Sequence, residues 1–144
     1  RGEVGQTPEL GLHQARIARS GKDATLICYG PMVDTCLDVA KEVSREGREL
    51  DVIDLRSLSP LDMATVYESV GRTTRAIVVQ EAPRTQGIGA EIAARLGEEL
   101  YYVMEAPVLR VAGWSTPYPP AKAEGEHIPD VDRILDAVDR SLAF

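Results

Sequence analysis

Short apolar runs alternate with stretches of helical periodicity along most of the chain. Strands are predicted at the apolar runs 24–29, 50–55, 75–80 and 107–112. Each run is followed by a helical pattern, and such alternation is typical of a parallel sheet with crossover helices. The short, charged segment 15–18 suits a further strand at the margin of the sheet. The pattern therefore predicts an α/β fold with a mostly parallel sheet of about five strands.

Four amphipathic helices are predicted beside these strands. Apolar residues recur at helical spacing within residues 31–46, 63–70, 89–100 and 131–142. The second pattern follows Ser59-Pro60-Leu61-Asp62, in which Ser59 suits an N-cap and Pro60 suits the first helical position. Residues 113–120 are rich in proline, so they are predicted to form a surface loop before the last helix.

Length and charge narrow the possible functions. A chain of 144 residues fits one domain with a substantial core. The formal charge of −7 argues against nucleic-acid partners and against anionic membranes, because both require clustered lysines and arginines. The apolar runs fall far short of the roughly 20 residues that span a bilayer. A basic protein partner is compatible with this charge.

The cysteines indicate the redox environment of the protein, and the first residues indicate where the domain begins. Cys28 and Cys36 are too few for a secreted disulfide framework and form no CxxC pair, so a reduced, intracellular protein is expected. Residues 1–12 show neither a signal-peptide nor a transit-peptide pattern. We interpret them as the remnant of a linker, and residues 13–144 as the domain.

Candidate ligand-binding positions lie where predicted strands end. The segment 29–32, Tyr-Gly-Pro-Met, follows the first of the four strands, at the edge where open α/β sheets usually bind ligands. It holds no charged anchor, so a tight turn is the favoured interpretation. Glu81 follows the third of these strands and has the chemistry of a catalytic acid or base. Because Arg84 is its nearest charged companion, a salt bridge or a helix cap is favoured instead.

Other patterns give weak signals for chemistry. Residues 86–91, Gln-Gly-Ile-Gly-Ala-Glu, have part of a dinucleotide fingerprint, but Ile92 stands where its third glycine belongs. We interpret these glycines as allowing a helix to start close against the sheet. His13 and His127 have no companions at metal-ligand spacing, and neither cysteine has a positioned base. The sequence therefore predicts no catalytic, cofactor-binding or metal-binding residue in this chain.

Two surface features suit protein partners. Trp114 and Tyr118 stand in the proline-rich loop, where they either form an interface or pack back onto their own domain. The last helix carries a run of aspartates, which is either a solvated face or a docking site for a basic partner. These residues are Asp130, Asp132, Asp136 and Asp139.

Several sequence blocks, in this order, resemble those of one enzyme family. They are ATLICYG at 24–30, VIDLRSLSPLD at 52–62, SVGR at 69–72, VVQEA at 78–82, GIGAEI at 87–92, EAPVLRV at 105–111 and PDVDRILDAV at 129–138. From about residue 11 to residue 144, the chain is similar to the C-terminal, transketolase-like domain of the β subunit in E1 components of 2-oxo acid dehydrogenase complexes.

The resemblance implies a three-layer α/β/α fold and a non-catalytic role. In that family, thiamine diphosphate, Mg and the catalytic histidines belong to the α subunit and to the N-terminal domain of the β subunit. The parent enzyme decarboxylates a 2-oxo acid, either pyruvate or a branched-chain acid, and acylates the lipoyl groups of the E2 acyltransferase. The expected location is the cytoplasm, or the mitochondrial matrix in a eukaryote.

The resemblance also implies partners and partner-binding residues. The partners are the E1 α subunit, a second E1 β subunit and the peripheral subunit-binding domain of E2, which presents basic residues. Glu105 and the carboxylate of Phe144 are the positions that match the acidic side of that contact. Two alternatives stay open: a stand-alone protein-interaction module, and the C-terminal domain of a transketolase or a deoxyxylulose phosphate synthase.

Overall fold

The computed structural model describes residues 10–144, which form one five-stranded sheet covered by helices on both faces. The strands are β1 (Arg16–Arg19), β2 (Ala24–Cys28), β3 (Leu50–Asp54), β4 (Ala76–Pro83) and β5 (Leu109–Gly113). Their order in the sheet is β1-β3-β2-β4-β5. β1 is antiparallel to β3, and the other three pairings are parallel. The predicted edge strand and the mostly parallel sheet are therefore confirmed.

The helices form the two outer layers. They are α1 (Met32–Ser44), α2 (Met63–Thr73), α3 (Ile88–Glu99), α4 (Glu124–His127) and α5 (Val131–Leu142), with a short 3-10 turn at Ala121–Ala123. α1 and α5 pack on one face of the sheet, and α2 and α3 pack on the other. All five residues of β2 are buried because helices cover both of its faces. The expected three-layer α/β/α arrangement is confirmed.

The start of α2 differs from the prediction. Ser59 and Pro60, which are joined by a cis peptide bond, lie before the helix and are not its N-cap and first residue, because α2 begins at Met63. Asp62 is the N-cap, and its carboxylate accepts hydrogen bonds from the amide and the hydroxyl of Thr65. It also accepts the amide of Ala15 at 2.9 Å, a contact that ties the helix start to the segment before β1. This long-range bond selects Asp62 among the capping candidates.

Other boundaries shift by a few residues. α2 continues past Gly71 and ends at Thr73, where Thr74 adopts a left-handed conformation. β4 extends to Pro83 because an irregularity in its register with β5 carries the pairing past Gln80. The linker predicted at 1–12 falls mostly on residues 1–9, which lie outside the described residues, and the domain limits stay a prediction. No helix in the described part of the chain is long and apolar enough to cross a membrane.

We expect Asp62→Ala to lower the free energy of unfolding by about 1–2 kcal/mol at neutral pH, the usual cost of losing an N-cap. Burial opposes ionisation of this carboxyl, but hydrogen bonds from Thr65 and Ala15 outweigh it and hold the pKa of Asp62 below its ordinary value of 3.8. A carboxyl whose pKa is depressed by folding stabilises the protein above the unfolded-state pKa. That contribution is lost as the pH falls through the folded-state pKa. Urea unfolding at neutral pH and below pH 3.8 measures both effects.

Asp62→Asn is the matched control, because asparagine also caps helices without carrying a charge. Its loss at neutral pH is expected to be smaller than that of Asp62→Ala. If Asp62→Ala destabilises the protein equally at both pH values, the charge of Asp62 contributes nothing.

Candidate functional site

In the described part of the chain, the carboxyl ends of the parallel strands carry a tight turn and the titratable side chains of Tyr29 and Glu81. Gly30 has a φ of 59°, and its carbonyl accepts the amide of Val33 at 3.2 Å, which confirms a tight turn before α1. Tyr29 and Glu81 follow neighbouring strands. Partial burial and then the charge of Glu81 raise the pKa of Tyr29. The predicted bond between Glu81 and Arg84 is wrong for the described residues, because Arg84 instead donates to the carbonyl of Arg110 at 3.0 Å.

The glycines of residues 86–91 pack α3 against the sheet. Gly87 is the N-cap of α3, and Gly89 lies buried in its first turn. A Cβ placed on Gly89 would lie 2.7 Å from Oε1 of Gln80 and 3.0 Å from a methyl of Val78. These distances leave no room for a side chain or a ligand, so the packing interpretation is confirmed.

Gln80 is a buried polar residue whose role the sequence did not reveal. Its Oε1 accepts the amide of Gly89 at 2.7 Å, and its Nε2 donates to the carbonyls of Ala82 and Pro83. The side chain therefore joins the end of β4 to the start of α3. An amide directly after the apolar run 76–79 of β4 is the signal that marks such a residue.

The cysteines and histidines form no reactive cluster. Both thiols are buried, and Cys28 donates to the carbonyl of Ile53 at 3.3 Å. A hydrogen bond with Cys36, followed by burial, raises the pKa of Cys28, so this thiol stays protonated. His13 lies exposed beside Ser57, whereas His127 is buried. Among residues 10–144 there is no group of three or more side chains suited to hold a metal ion.

At the opposite, amino end of the strands, Arg75 links Glu105, one of the two predicted partner-binding positions, to the last turn of α5. Its Nη1 lies 2.5 Å from Oε2 of Glu105, and its Nε donates to the carbonyl of Ser141 at 3.1 Å. The amide of Glu105 also donates to the carbonyl of Thr74 at 3.0 Å. Glu105 is thereby held beside Ser141 near the end of α5. The side chain of Glu105 is 58% exposed and Phe144 is 72% exposed, so both are open to a partner.

A polar depression of about 570 Å³ adjoins Glu105. The charged residues that line it are Lys22, Asp23, Arg48, Arg72, Arg75 and Glu105. Because the cations outnumber the anions, the charge of Glu105 is offset locally. A basic partner at this position must therefore compete with Arg75 for the carboxylate.

An apolar groove of about 320 Å³ lies on the other side of Glu105. Tyr101, Met104 and Val108 are among its lining residues. Tyr102 stands beside it, almost fully exposed, with its ring edge-to-face against Tyr101. Exposed tyrosines next to charged groups are typical of protein interfaces. The sequence reasoning missed this patch, although two adjacent tyrosines just after a helix were a usable signal.

Behind the depression, Asp51 forms a buried polar network. Its carboxylate accepts hydrogen bonds from the Ser69 hydroxyl and the Arg72 guanidinium, each at 2.5 Å, and from the Gly21 amide at 2.9 Å. The hydroxyl of Thr25 continues the network from Ser69. Asp51 thus fixes Arg72, which lines the depression. The sequence analysis did not predict this buried network.

Some of the aspartates and aromatic residues predicted to contact partners form hydrogen bonds or ion pairs within the domain. Asp130 caps α5, and Asp139 pairs with Arg48 at 2.5 Å. The indole of Trp114 donates to the carbonyl of Glu126 at 3.0 Å, and Tyr118 hydrogen-bonds Glu124. The two aromatic residues nevertheless remain 55% and 61% exposed, so they pack partly onto their own domain and stay available to a partner.

Comparison with known proteins gives consistent results. The chain is 54% identical over 135 residues to the pyruvate dehydrogenase E1 component subunit beta of Leifsonia xyli subsp. xyli, a match that covers 94% of this chain and 40% of the relative. It is 48% identical to the 3-methyl-2-oxobutanoate dehydrogenase subunit beta of Mycobacterium tuberculosis, covering 94% of this chain and 39% of that relative. The chain therefore spans about two fifths of the length of these relatives.

A solved structure and a family model agree with the fold. The chain matches a split gene transketolase, described as an inactive beta4 tetramer, with a TM-score of 0.82 and 27% identity over 99% of this chain and 46% of that one. Residues 13–134 match the model of the transketolase C-terminal domain. The chain belongs to the transketolase C-terminal domain family.

Proposed function

We propose that the chain is the non-catalytic C-terminal domain of the β subunit of a thiamine diphosphate-dependent 2-oxo acid dehydrogenase, the E1 component. The identity to the two β subunits supports this proposal, because it is high and covers 94% of the chain. The parent enzyme would decarboxylate pyruvate or a branched-chain 2-oxo acid and acylate the lipoyl groups of E2. It would act in the cytoplasm, or in the mitochondrial matrix of a eukaryote. The transketolase alternative rests on a lower identity of 27%.

Residues 10–144 offer no set of side chains that fits thiamine diphosphate and its Mg. The side chain of Gln80 fills the space beside the glycines at the start of α3. The described residues also offer no cluster of metal ligands. In the proposed enzyme, the cofactor is held by the E1 α subunit and by parts of the β subunit outside this chain. The work of this domain is then assembly, with the α subunit, a second β subunit and E2 as partners.

We further propose that Glu105 and Phe144 contact the E2 peripheral subunit-binding domain and that Glu105 binds its basic residues. The bridge from Arg75 to both Glu105 and Ser141 supports this proposal, since it holds an exposed acid beside the last turn of α5. The tyrosine patch beside Glu105 supplies apolar area for the same contact. Arg75 orients the carboxylate of Glu105. A cation of the partner then replaces part of the interaction between Arg75 and Glu105.

We expect Glu105→Lys to weaken binding of the E2 subunit-binding domain by about tenfold or more, because it places a cation against a basic partner. Isothermal titration of the 144-residue chain with that domain, at low and moderate salt, measures the effect. Binding of the original chain should weaken as the salt rises, because exposed charges are screened.

Glu68→Lys is the control, since it makes the same charge change at an exposed position on α2. It should leave the affinity within about twofold of the original, provided that both variants unfold at the original temperature. Equal affinity of Glu105→Lys and Glu68→Lys would remove Glu105 from the interface and leave the assignment of the family unaffected.

A further inference from the structure

A basic groove follows the free edge of β5. Among residues 10–144, β5 pairs only with β4, so its other edge lies open to the rest of the described structure at the side of the sheet. Two adjoining cavities of about 450 and 270 Å³ lie there. They share Arg84, Arg110, Trp114 and Arg133, and we call the region that these residues line the arginine groove.

Two guanidinium groups are held near each other in this groove. Nη1 of Arg84 donates to the carbonyl of Arg110 at 3.0 Å, and Nη1 of Arg110 donates to the carbonyl of Arg84 at 3.1 Å. Each bond uses one of the five N–H donors of its guanidinium. Two like charges near each other repel, so this reciprocal arrangement favours an anion between them.

Arg133 contributes a third positive charge. Its Nη2 donates to the carbonyl of Ala112 at 2.5 Å, and its guanidinium lies 4.6 Å from the centre of the Trp114 ring. The group is therefore held in place by main chain and aromatic contacts rather than by a carboxylate. An arginine fixed in this way loses little conformational entropy when it binds an anion.

Among the described residues, these three arginines form no ion pair with a carboxylate, a property that they share with Arg56. Nine described lysines and arginines form ion pairs, and Arg84, Arg110 and Arg133 are not among them within residues 10–144. The chain as a whole has a formal charge of −7, so three such arginines in one place are unexpected. Arg140, Asp132 and Asp136 also line the larger cavity, which leaves an excess of two positive charges.

We propose that the arginine groove binds a phosphate dianion, either free or as the monoester of a small metabolite. A phosphate group carries about −1.5 to −2 charges at neutral pH, which matches the excess charge of the groove. Its oxygens accept paired hydrogen bonds from the planar guanidinium forks of Arg84 and Arg110. Arg84 and Arg133 already donate hydrogen bonds to main-chain carbonyls of β5. Because these acceptors are engaged, the addition of another strand at this edge is disfavoured. This site is independent of the proposed role in the E1 enzyme.

The intrinsic fluorescence of Trp114 tests the proposal, because it is the only tryptophan of the chain. The 144-residue protein is titrated with inorganic phosphate while chloride holds the ionic strength constant. We expect a saturable change in emission. Arg84→Gln and Arg110→Gln should each weaken binding by about tenfold, the effect of losing a charge-assisted hydrogen bond.

Lys22→Gln is the control, since it removes the same charge beside the polar depression at the other end of the sheet. It should leave the phosphate affinity unchanged, and thermal unfolding followed by circular dichroism verifies that all three variants fold. Titration with glycerol phosphate separates the two sources of the ligand. Equal affinity for phosphate and its ester means that the groove recognises the phosphoryl group alone, whereas tighter binding of the ester means that it also contacts the organic part.

Three outcomes would overturn the proposal: no saturable change with phosphate or glycerol phosphate, the same change with chloride alone, or equal binding by Arg84→Gln, Arg110→Gln and the original protein. A fluorescence change caused only by an acidic peptide such as hexaglutamate would also overturn it, in favour of a protein partner at this edge.

Discussion

Replacement of Asp51 by alanine is expected to lower the free energy of unfolding by about 3–5 kcal/mol, because it leaves buried donors without an acceptor. Asp51 is fully buried and accepts bonds from Ser69, Arg72 and the amide of Gly21. Arg72 is half exposed and can turn to water, so most of the loss comes from Ser69 and Gly21. Equilibrium urea unfolding at neutral pH measures the difference.

Asp38→Ala removes a carboxylate of a different kind and serves as the control. Asp38 is exposed and pairs with Lys41 at 2.8 Å within one turn of α1. Such a pair contributes about 0.5 kcal/mol or less. If Asp51→Ala costs no more than Asp38→Ala, the buried network contributes nothing to stability.

The layers of the fold could be predicted from the sequence because their causes are local. Runs such as 24–28 and 76–80 have apolar side chains on both faces, which suits only a strand covered on both sides. The start of α2 could not be predicted in the same way. Ser59 and Asp62 are both good capping residues, and the choice depends on the amide of Ala15, 47 residues away in sequence.

The partner-binding face was only partly predictable. Glu105 and Phe144 were expected on the basis of a resemblance, but the link that Arg75 makes between Glu105 and Ser141 joins segments 30 and 66 residues from Arg75 in sequence. That link depends on the order of the strands, which places the start of β4 next to the connection before β5. Sequence proximity misled the reasoning at Glu81 and Arg84, because the irregular end of β4 directs Arg84 to β5.

Charged or polar residues inside strands were the signal that the sequence reasoning overlooked. Asp51 interrupts the apolar run of β3, Gln80 ends that of β4, and both are hydrogen-bonded in the core. A buried polar group is tolerated only when its partners are in place. Such interruptions therefore mark positions where distant segments must meet, although the sequence does not say which segments they are.

Gly21→Ala is expected to lower the free energy of unfolding by about 3 kcal/mol, because it forces one stretch of backbone into another. A Cβ at this position would lie 2.5 Å from the amide nitrogen of Asp51 and closer still to main-chain atoms of residues 49 and 50. These atoms cannot turn aside as a flexible side chain does. Relief of the overlap requires separation of the segment before β2 from the start of β3, with loss of the bond from Gly21 to Asp51. Urea unfolding of the variant measures the effect.

Gly71→Ala is the matched control, and the opposite sign is expected for it. Gly71 lies in α2 at an exposed position, and a Cβ there would meet nothing within 4 Å. Alanine in a helix is favoured over glycine by about 0.5–1 kcal/mol, so this variant should be more stable than the original protein. The pair therefore separates steric overlap from the general effect of removing a glycine. A urea midpoint for Gly21→Ala at or above that of the original protein would show that the segment before β2 is free to move away from β3.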